Sequence, residues 1–116
     1  MLSNGLPRRL RLHLKRDFET IIQAGHKFQN EELVLWCHMR PSGSARFAVV
    51  VSKKLGPAVV RNRTKRVLRE AFRTLQVRLK AGADIIVKPR QSERVSTVQA
   101  AQDALMSLCG NAALLK

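Results

Sequence analysis

Apolar residues recur along this chain at two spacings, and each spacing predicts a different kind of element. A period of three to four residues predicts amphipathic helices, whereas alternation or a short continuous apolar run predicts strands. The helical period occupies three segments: Lys15–Ala24, residues 60–79 and about residues 98–109. Gly25 and Gly82 are positioned to end the first two helices, the second in a left-handed cap. A capping-box pattern at Ser96–Gln99 opens the third.

Strand patterns fill the spaces between the helices. They cover Lys27–Gln29, Leu33–Met39, Arg46–Ser52 and Ala83–Lys88. The third run is almost continuously apolar, which favours a central position in the sheet, and the turn before it has the length of a hairpin connection. The order is therefore helix, strands, helix, strand, helix, which predicts an α+β sandwich: a small sheet with helices packed on it.

Length and composition predict one domain with a core of its own. The chain has 116 residues and is 45% hydrophobic, enough for a single compact domain over residues 1–116. Met1–Pro7 are expected to be flexible and do not resemble a secretory signal. Cys37 and Cys109 are too few for a disulfide framework, which favours a reducing compartment and a cytoplasmic protein. No apolar run approaches a membrane span of ~18 residues.

Basic residues concentrate between Lys53 and Arg73, where eight lysines and arginines stand against one acid, Glu70. On a helical wheel at about 100° per residue, the apolar residues of the segment share one arc. The opposite arc is almost purely cationic and contains Asn62. Like charges at helical spacing repel, and a helix that faces only solvent normally mixes both signs. With a net charge of +14, this arc predicts a surface that binds nucleic acid.

Patterns typical of a protein catalyst are missing from the sequence. The eight acidic residues are scattered rather than set at metal-ligand spacing, and the three histidines are too dispersed for a zinc site. We therefore expect a chain that is not itself catalytic and that binds neither metal nor cofactor. Among the few aromatic residues, Phe18 and Trp36 are expected to be partly exposed and able to stack on bases. From the residues alone, a general or ribosomal RNA-binding protein is an open alternative.

One ordered series of residues carries a family resemblance. It consists of Lys53-Lys54-Leu55-Gly56, Ala58-Val59, Arg61-Asn62-Arg63, Lys65-Arg66 and Arg69-Glu70. It is accompanied by Arg16-Asp17-Phe18 ahead of Gly25, and by Asp84-Ile85-Ile86-Val87 ahead of the last helix. This series resembles the signature of the bacterial ribonuclease P protein subunit, and the similarity extends over roughly residues 8–108.

The resemblance implies both a fold and a role. The implied fold is a two-layer α+β sandwich in the order αβββαβα. Its small mixed sheet contains a left-handed βαβ crossover around the central basic helix, against the usual right-handed preference. The implied role is that of a non-catalytic subunit which binds the catalytic RNA and the 5′ leader of precursor tRNA. The RNA and its Mg²⁺ remove the leader. A monomeric protein in a one-to-one complex with the RNA is expected.

Carried over residue by residue, the resemblance assigns two surfaces. The first, which we call the basic ridge, would bind the catalytic RNA and comprises Lys53, Lys54, Arg61, Asn62, Arg63, Lys65, Arg66, Arg69 and Arg73. The second, which we call the cleft, would bind the leader through Phe18, Ile22 and Trp36. Ile22 stands where many members of the family carry a second aromatic residue, so weaker stacking on the leader is expected at that point.

Overall fold

The structure is a computed structural model that describes residues 8–12 and 14–116. Its helices are α1 (Lys15–Ala24), α2 (Ala58–Leu75) and α3 (Val98–Asn111). Its strands are β1 (His26–Gln29), β2 (Leu33–Met39), β3 (Arg46–Val49) and β4 (Ala83–Pro89). The order αβββαβα confirms the predicted α+β fold. The expected flexibility of Met1–Pro7 concerns residues outside the described ranges.

The four strands form one mixed sheet in the order β1-β2-β4-β3. Strands β1 and β2, and likewise β2 and β4, are antiparallel, whereas β3 and β4 are parallel. The crossover from β3 through α2 to β4 therefore joins parallel neighbours, as the resemblance implied. Its left-handedness stays a prediction.

The central position predicted for β3 is wrong, because β4 lies between β2 and β3. The turn before β3 consequently joins two strands that do not pair, so it is not a hairpin turn. The outer edge of β3 is instead paired by the N-terminal segment. Arg11 forms a parallel bridge with Phe47, and the Leu12 amide donates to the Phe47 carbonyl at 2.9 Å. This pairing covers an apolar strand that the sequence pattern placed inside the sheet.

The two faces of the sheet bury different helices. Alternate residues of the strands, including Leu35, Phe47 and Ile85, pack with α2 and α3 in the larger core cluster. The rings of Phe47 and Phe72 stack with their centroids 4.4 Å apart, a contact that typically contributes about 0.5–1.5 kcal/mol beyond burial. The opposite face packs Ile86 against α1 in a smaller cluster. Helices α2 and α3 thus form the second layer of the sandwich, and α1 lies across the other face.

Helix α2 ends earlier than its apolar period predicts. It stops at Leu75, and the backbone then tightens into a short 3-10 turn. The last periodic residue, Leu79, is buried and forms a bridge with Leu115 near the C-terminus. Gly82 has the predicted left-handed φ of +83°, but it caps no helix. A Cβ at this position would lie 2.3 Å from the Arg40 carbonyl oxygen, so glycine permits the close approach of two loops.

The other two helices begin and end close to their predicted limits. Helix α1 has the predicted bounds. Gly25 ends it with a negative φ, and a Cβ there would lie 2.3 Å from the Cys37 carbonyl oxygen. Helix α3 begins after Thr97, whose hydroxyl oxygen accepts a bond from the Ala100 amide at 3.1 Å. The N-cap is therefore Thr97, and the helix continues to Asn111.

Candidate nucleic-acid interface

Helix α2 determines which way the basic ridge faces. One side of the helix is buried against the sheet and α3 through Thr64, Leu68, Ala71, Phe72 and Leu75. The Thr64 hydroxyl donates to the Val60 carbonyl at 2.9 Å, which satisfies the polar group on this side. Because the apolar side is anchored, residues on the opposite arc of the helix are directed to the surface.

No residue of the basic ridge is fully buried. Six of them are exposed: Lys53, Lys54, Asn62, Arg63, Arg66 and Arg73. Three others are half-buried: Arg61, Lys65 and Arg69. The Arg61 Nε donates to the Gly56 carbonyl at 3.1 Å, which ties the start of α2 to the preceding loop. The ridge is therefore accessible along the length of α2.

Only one cation of the ridge forms an ion pair within the described ranges. Arg73 pairs with Glu70, three residues earlier on α2. This pairing lowers the pKa of the Glu70 carboxyl and raises the pKa of Arg73. The remaining cations of the ridge have no carboxylate partner among the residues that the structure describes. Their mutual repulsion is therefore uncompensated by the protein's own acids there.

Arg69 has a further basic neighbour that sequence reasoning did not assign to the site. Burial lowers the pKa of the Arg69 guanidinium, and the positive charge of Arg11 lowers it further. Arg11 reaches this place because its segment pairs with the outer edge of β3. The charge of Arg11 adds to the positive potential around Arg69, and positive potential attracts anions. Nothing in the sequence signals this approach, because it depends on strand pairing across the chain.

The structure does not place the whole ridge on one stripe. Arg63 lies to one side, where it lines a groove with Val67 and with residues of the segment before α3, among them Glu93. Lys54 lines a second groove together with Arg90 and Arg94. The acidic Glu93 lines both grooves, so the surface between β4 and α3 is of mixed charge, unlike the ridge itself.

The cleft residues are brought together only in part. Phe18 and Trp36 are both half-buried on the face of the sheet covered by α1, where they pack against the cluster that contains Ile86. Ile22 is 48% exposed and does not belong to that cluster. Strand pairing sets Lys27 opposite Trp36, and the Lys27 ammonium lies 5.7 Å from the centroid of the Trp36 ring. This cation–π contact adds a positive charge to the cleft that the sequence analysis missed.

Within residues 8–12 and 14–116, no three His, Cys, Asp or Glu side chains come together as a metal site. In the same residues, no helix is both long enough and apolar enough to cross a membrane.

Sequence comparisons converge on one family. A family model described as Ribonuclease P matches residues 6–113. The chain is 39% identical over 90 residues to the ribonuclease P protein component of Thermotoga petrophila, covering 78% of this chain and 77% of the relative. It is 32% identical over 107 residues to the ribonuclease P protein component of Brevibacillus brevis, covering 91% of this chain and 85% of the relative.

Structural comparison gives the same result. The RNase P protein of Staphylococcus aureus superimposes with a TM-score of 0.79 at 31% sequence identity. The match covers 92% of this chain and 98% of the S. aureus protein. The shared architecture therefore extends over nearly the whole of both proteins.

Proposed function

The chain belongs to the ribonuclease P protein family, and from this premise we propose that it acts as the protein subunit of a ribonuclease P. In this role it binds the catalytic RNA and the 5′ leader of precursor tRNA, and it assists removal of the leader to give the mature 5′ end of the tRNA. The protein is proposed to be cytoplasmic and monomeric, with one copy per catalytic RNA.

The observation that carries this proposal is the unneutralised charge of the basic ridge. Lys53, Lys54, Arg66 and their neighbours present cations along one surface, and only Arg73 is matched by a carboxylate within the described residues. Phosphates of a folded RNA supply the missing negative charge and release counterions when they bind. Arginine side chains can bind phosphate oxygens in pairs, and Asn62 can reach a base edge or a ribose hydroxyl.

The cleft gives the proposal its second contact. Phe18 and Trp36 offer ring surface on the sheet face beside α1, and Lys27 adds a positive charge there. A single-stranded leader could stack bases on such rings, with its phosphates near the lysine. Ile22 is exposed at the same helix and supplies apolar contact without an aromatic ring.

The chemistry is assigned to the RNA in this proposal. The RNA would hold the Mg²⁺, which would supply activation of water and stabilisation of the leaving oxygen. The chain's own residues bind and position: the ridge fixes the protein on the catalytic RNA, and the cleft holds the leader. No catalytic residue is assigned to the chain.

Reconstitution tests the proposal. The full chain is mixed with precursor tRNA alone, and then with precursor tRNA and the catalytic RNA at a low Mg²⁺ concentration at which the RNA alone is nearly inactive. Cleavage to the mature 5′ end is expected only when both the chain and the catalytic RNA are present. Binding without stimulation would favour a general or ribosomal RNA-binding protein, and cleavage by the chain alone would contradict the assignment of chemistry to the RNA.

A further inference from the structure

An apolar side chain is exposed at the start of α2, beside the basic ridge. Val59 is the second residue of α2, and it is 74% exposed. The two residues before it, Pro57 and Ala58, are also exposed. Together the three residues form a small apolar patch. We propose that the Val59 side chain packs against a ribose or a base of the catalytic RNA. The inference rests on the proposed function and adds a residue to it.

Folding of the chain does not account for a valine at this position. Val59 belongs to neither core cluster of the described residues. Valine also offers no gain in helix propensity over alanine. Val59 thus contributes neither core packing nor helix propensity.

The location of Val59 distinguishes it from an ordinary exposed valine. On α2, the residues three, four and seven positions later lie on the same side of the helix, and these are Asn62, Arg63 and Arg66. The exposed pair Lys53 and Lys54 precedes the patch in the chain. Val59 therefore shares its side of α2 with three ridge residues and follows two others in the chain, so an RNA held by the ridge would cover it.

Val77 supplies an internal comparison. It is 68% exposed, nearly as much as Val59. It lies in the 3-10 turn that follows α2, outside the basic ridge. Exposure alone therefore does not separate the two valines. Their surroundings do, because Arg73, the ridge cation four residues before Val77, is already paired with Glu70.

The charge of the surroundings selects RNA as the partner of Val59. A surface this positive attracts a polyanion, and a folded RNA presents ribose rings and base faces between its phosphates. Contact between a methyl group and such a surface releases no counterions. Its contribution to affinity should therefore be independent of salt, unlike that of the neighbouring arginines.

Binding of the full chain to the catalytic RNA at several salt concentrations tests the inference. Val59→Ala should weaken binding about fivefold at each concentration, with the slope of log K against log salt unchanged. Val59→Thr keeps the shape but replaces a methyl group by a hydroxyl, and it should weaken binding about two- to threefold. Val77→Ala should bind like the unmodified chain. Thermal melting of Val59→Ala should occur at no lower temperature, since alanine favours the helix.

Two results would overturn the inference: binding of Val59→Ala equal to that of the unmodified chain, or an equal loss in Val77→Ala. Arg66→Ala separates this failure from failure of the proposed function. If Arg66→Ala changed neither the affinity nor the salt slope, the ridge itself would not be the RNA-binding surface. A normal loss in Arg66→Ala with no effect of Val59→Ala would refute only the contact at Val59.

Discussion

Two sets of arginines in this chain have opposite surroundings. At the sheet, the buried carboxylate of Asp84 accepts bonds from the Arg40 Nε at 2.9 Å and from Arg46 at 2.9 and 2.8 Å. Asp17 of α1 lies 3.6 Å from the same Arg46 guanidinium. On α2, by contrast, Arg73 alone among the ridge cations meets a carboxylate in the ranges described above.

The difference shows that the number of arginines does not measure RNA binding in this protein. Arg40 directly follows β2 and Arg46 begins β3, and they balance a carboxylate on β4 that is only 3% exposed. Burying that charge without partners would be very unfavourable, so these two arginines stabilise the fold, and Asp84 raises the pKa of Arg46. Apart from Arg73, the ridge cations balance no carboxylate among residues 8–12 and 14–116, and their charge is available to a partner.

Removal of the buried carboxylate should have the largest effect. Asp84→Asn leaves Arg40 and Arg46 without their shared partner, and the free energy of unfolding should fall by about 2–4 kcal/mol. The melting temperature should fall by about 10 °C or more. Once the variant is folded, the salt dependence of RNA binding should be unchanged, because the ridge is intact. Denaturant unfolding and salt-dependent binding measure the two quantities separately.

Asp103→Asn is the matched control for this change. Asp103 is exposed on α3, and its carboxylate accepts one bond from the Gln99 side chain at 2.9 Å. Its replacement should alter stability by no more than about 0.5 kcal/mol. Equal losses of unfolding free energy in the two variants would mean that the Asp84 network does not stabilise the fold more than an exposed carboxylate does. The contrast with the ridge would then fail.

The cleft is a third region, in which one side chain is expected both to stabilise the fold and to bind RNA. Phe18→Ala removes a ring that packs partly on the sheet and partly faces solvent. Affinity for a precursor tRNA with a leader should fall by about 1–3 kcal/mol per base that stacks on Phe18, and affinity for mature tRNA should not change. Comparison of the two RNAs in the presence of catalytic RNA measures the leader contribution.

Thermal melting serves as the control for Phe18→Ala. A modest decrease of a few degrees is expected, because the ring is half-buried. A sharp decrease in melting temperature with unchanged discrimination between the two RNAs would make Phe18 a core residue, and the cleft assignment would be wrong.

Local patterns predicted local structure well. The bounds of α1 and β2 agree with the sequence analysis because helical period and apolar runs are properties of neighbouring residues. The edge position of β3 could not be predicted, since it depends on where β4 inserts and on pairing with Arg11. The end of α2 was missed for a similar reason: Leu79 keeps the helical period but is buried by its contact with Leu115.

In the candidate site too, features within one element were predicted from the sequence, and contacts between elements were not. The cationic arc of α2 was visible in the sequence because its residues are neighbours on one helix. The approach of Arg11 to Arg69 and the position of Lys27 over Trp36 were not visible, because each joins segments through the sheet. Charge patterns within one element are therefore readable from sequence, and charges that meet across elements require the fold.

Replacement of one ridge arginine should lower affinity without lowering stability greatly. Arg69→Ala should weaken binding to the catalytic RNA about tenfold. It should also reduce the magnitude of the salt slope by about 0.7–0.9, the value of one phosphate contact. Arg94→Ala is the matched control, because Arg94 pairs with Glu31 and Glu32. If both changes reduced the salt slope equally, paired and unpaired arginines would contribute alike to RNA binding, and the distinction between them would be wrong.

The Glu70–Arg73 pair is the one place on the ridge where, within the described residues, an arginine is neutralised by a carboxylate, as Arg40 and Arg46 are at the sheet. Removing this pair should change RNA affinity less than replacement of Arg69 does. The Arg73 Nε donates to a Glu70 oxygen at 3.1 Å. Arg73 lowers the pKa of Glu70 below its ordinary value of 4.5. The carboxylate therefore stays ionised above that value, and the stability it contributes is lost only as the pH falls through the lowered pKa. Between pH 5 and 8 the pair should not titrate.

Glu70→Gln removes the negative charge and leaves Arg73 free to meet a phosphate. Binding to the catalytic RNA should become about two- to threefold tighter, with a salt slope steeper by up to about 0.7–0.9. Glu31→Gln is the control, because Glu31 is also paired with an arginine but lies outside the ridge, and it should leave the slope unchanged. An unchanged slope in Glu70→Gln would show that Arg73 does not face the RNA. The ridge would then end at Arg69, and the contrast between paired and unpaired arginines would hold without exception along α2.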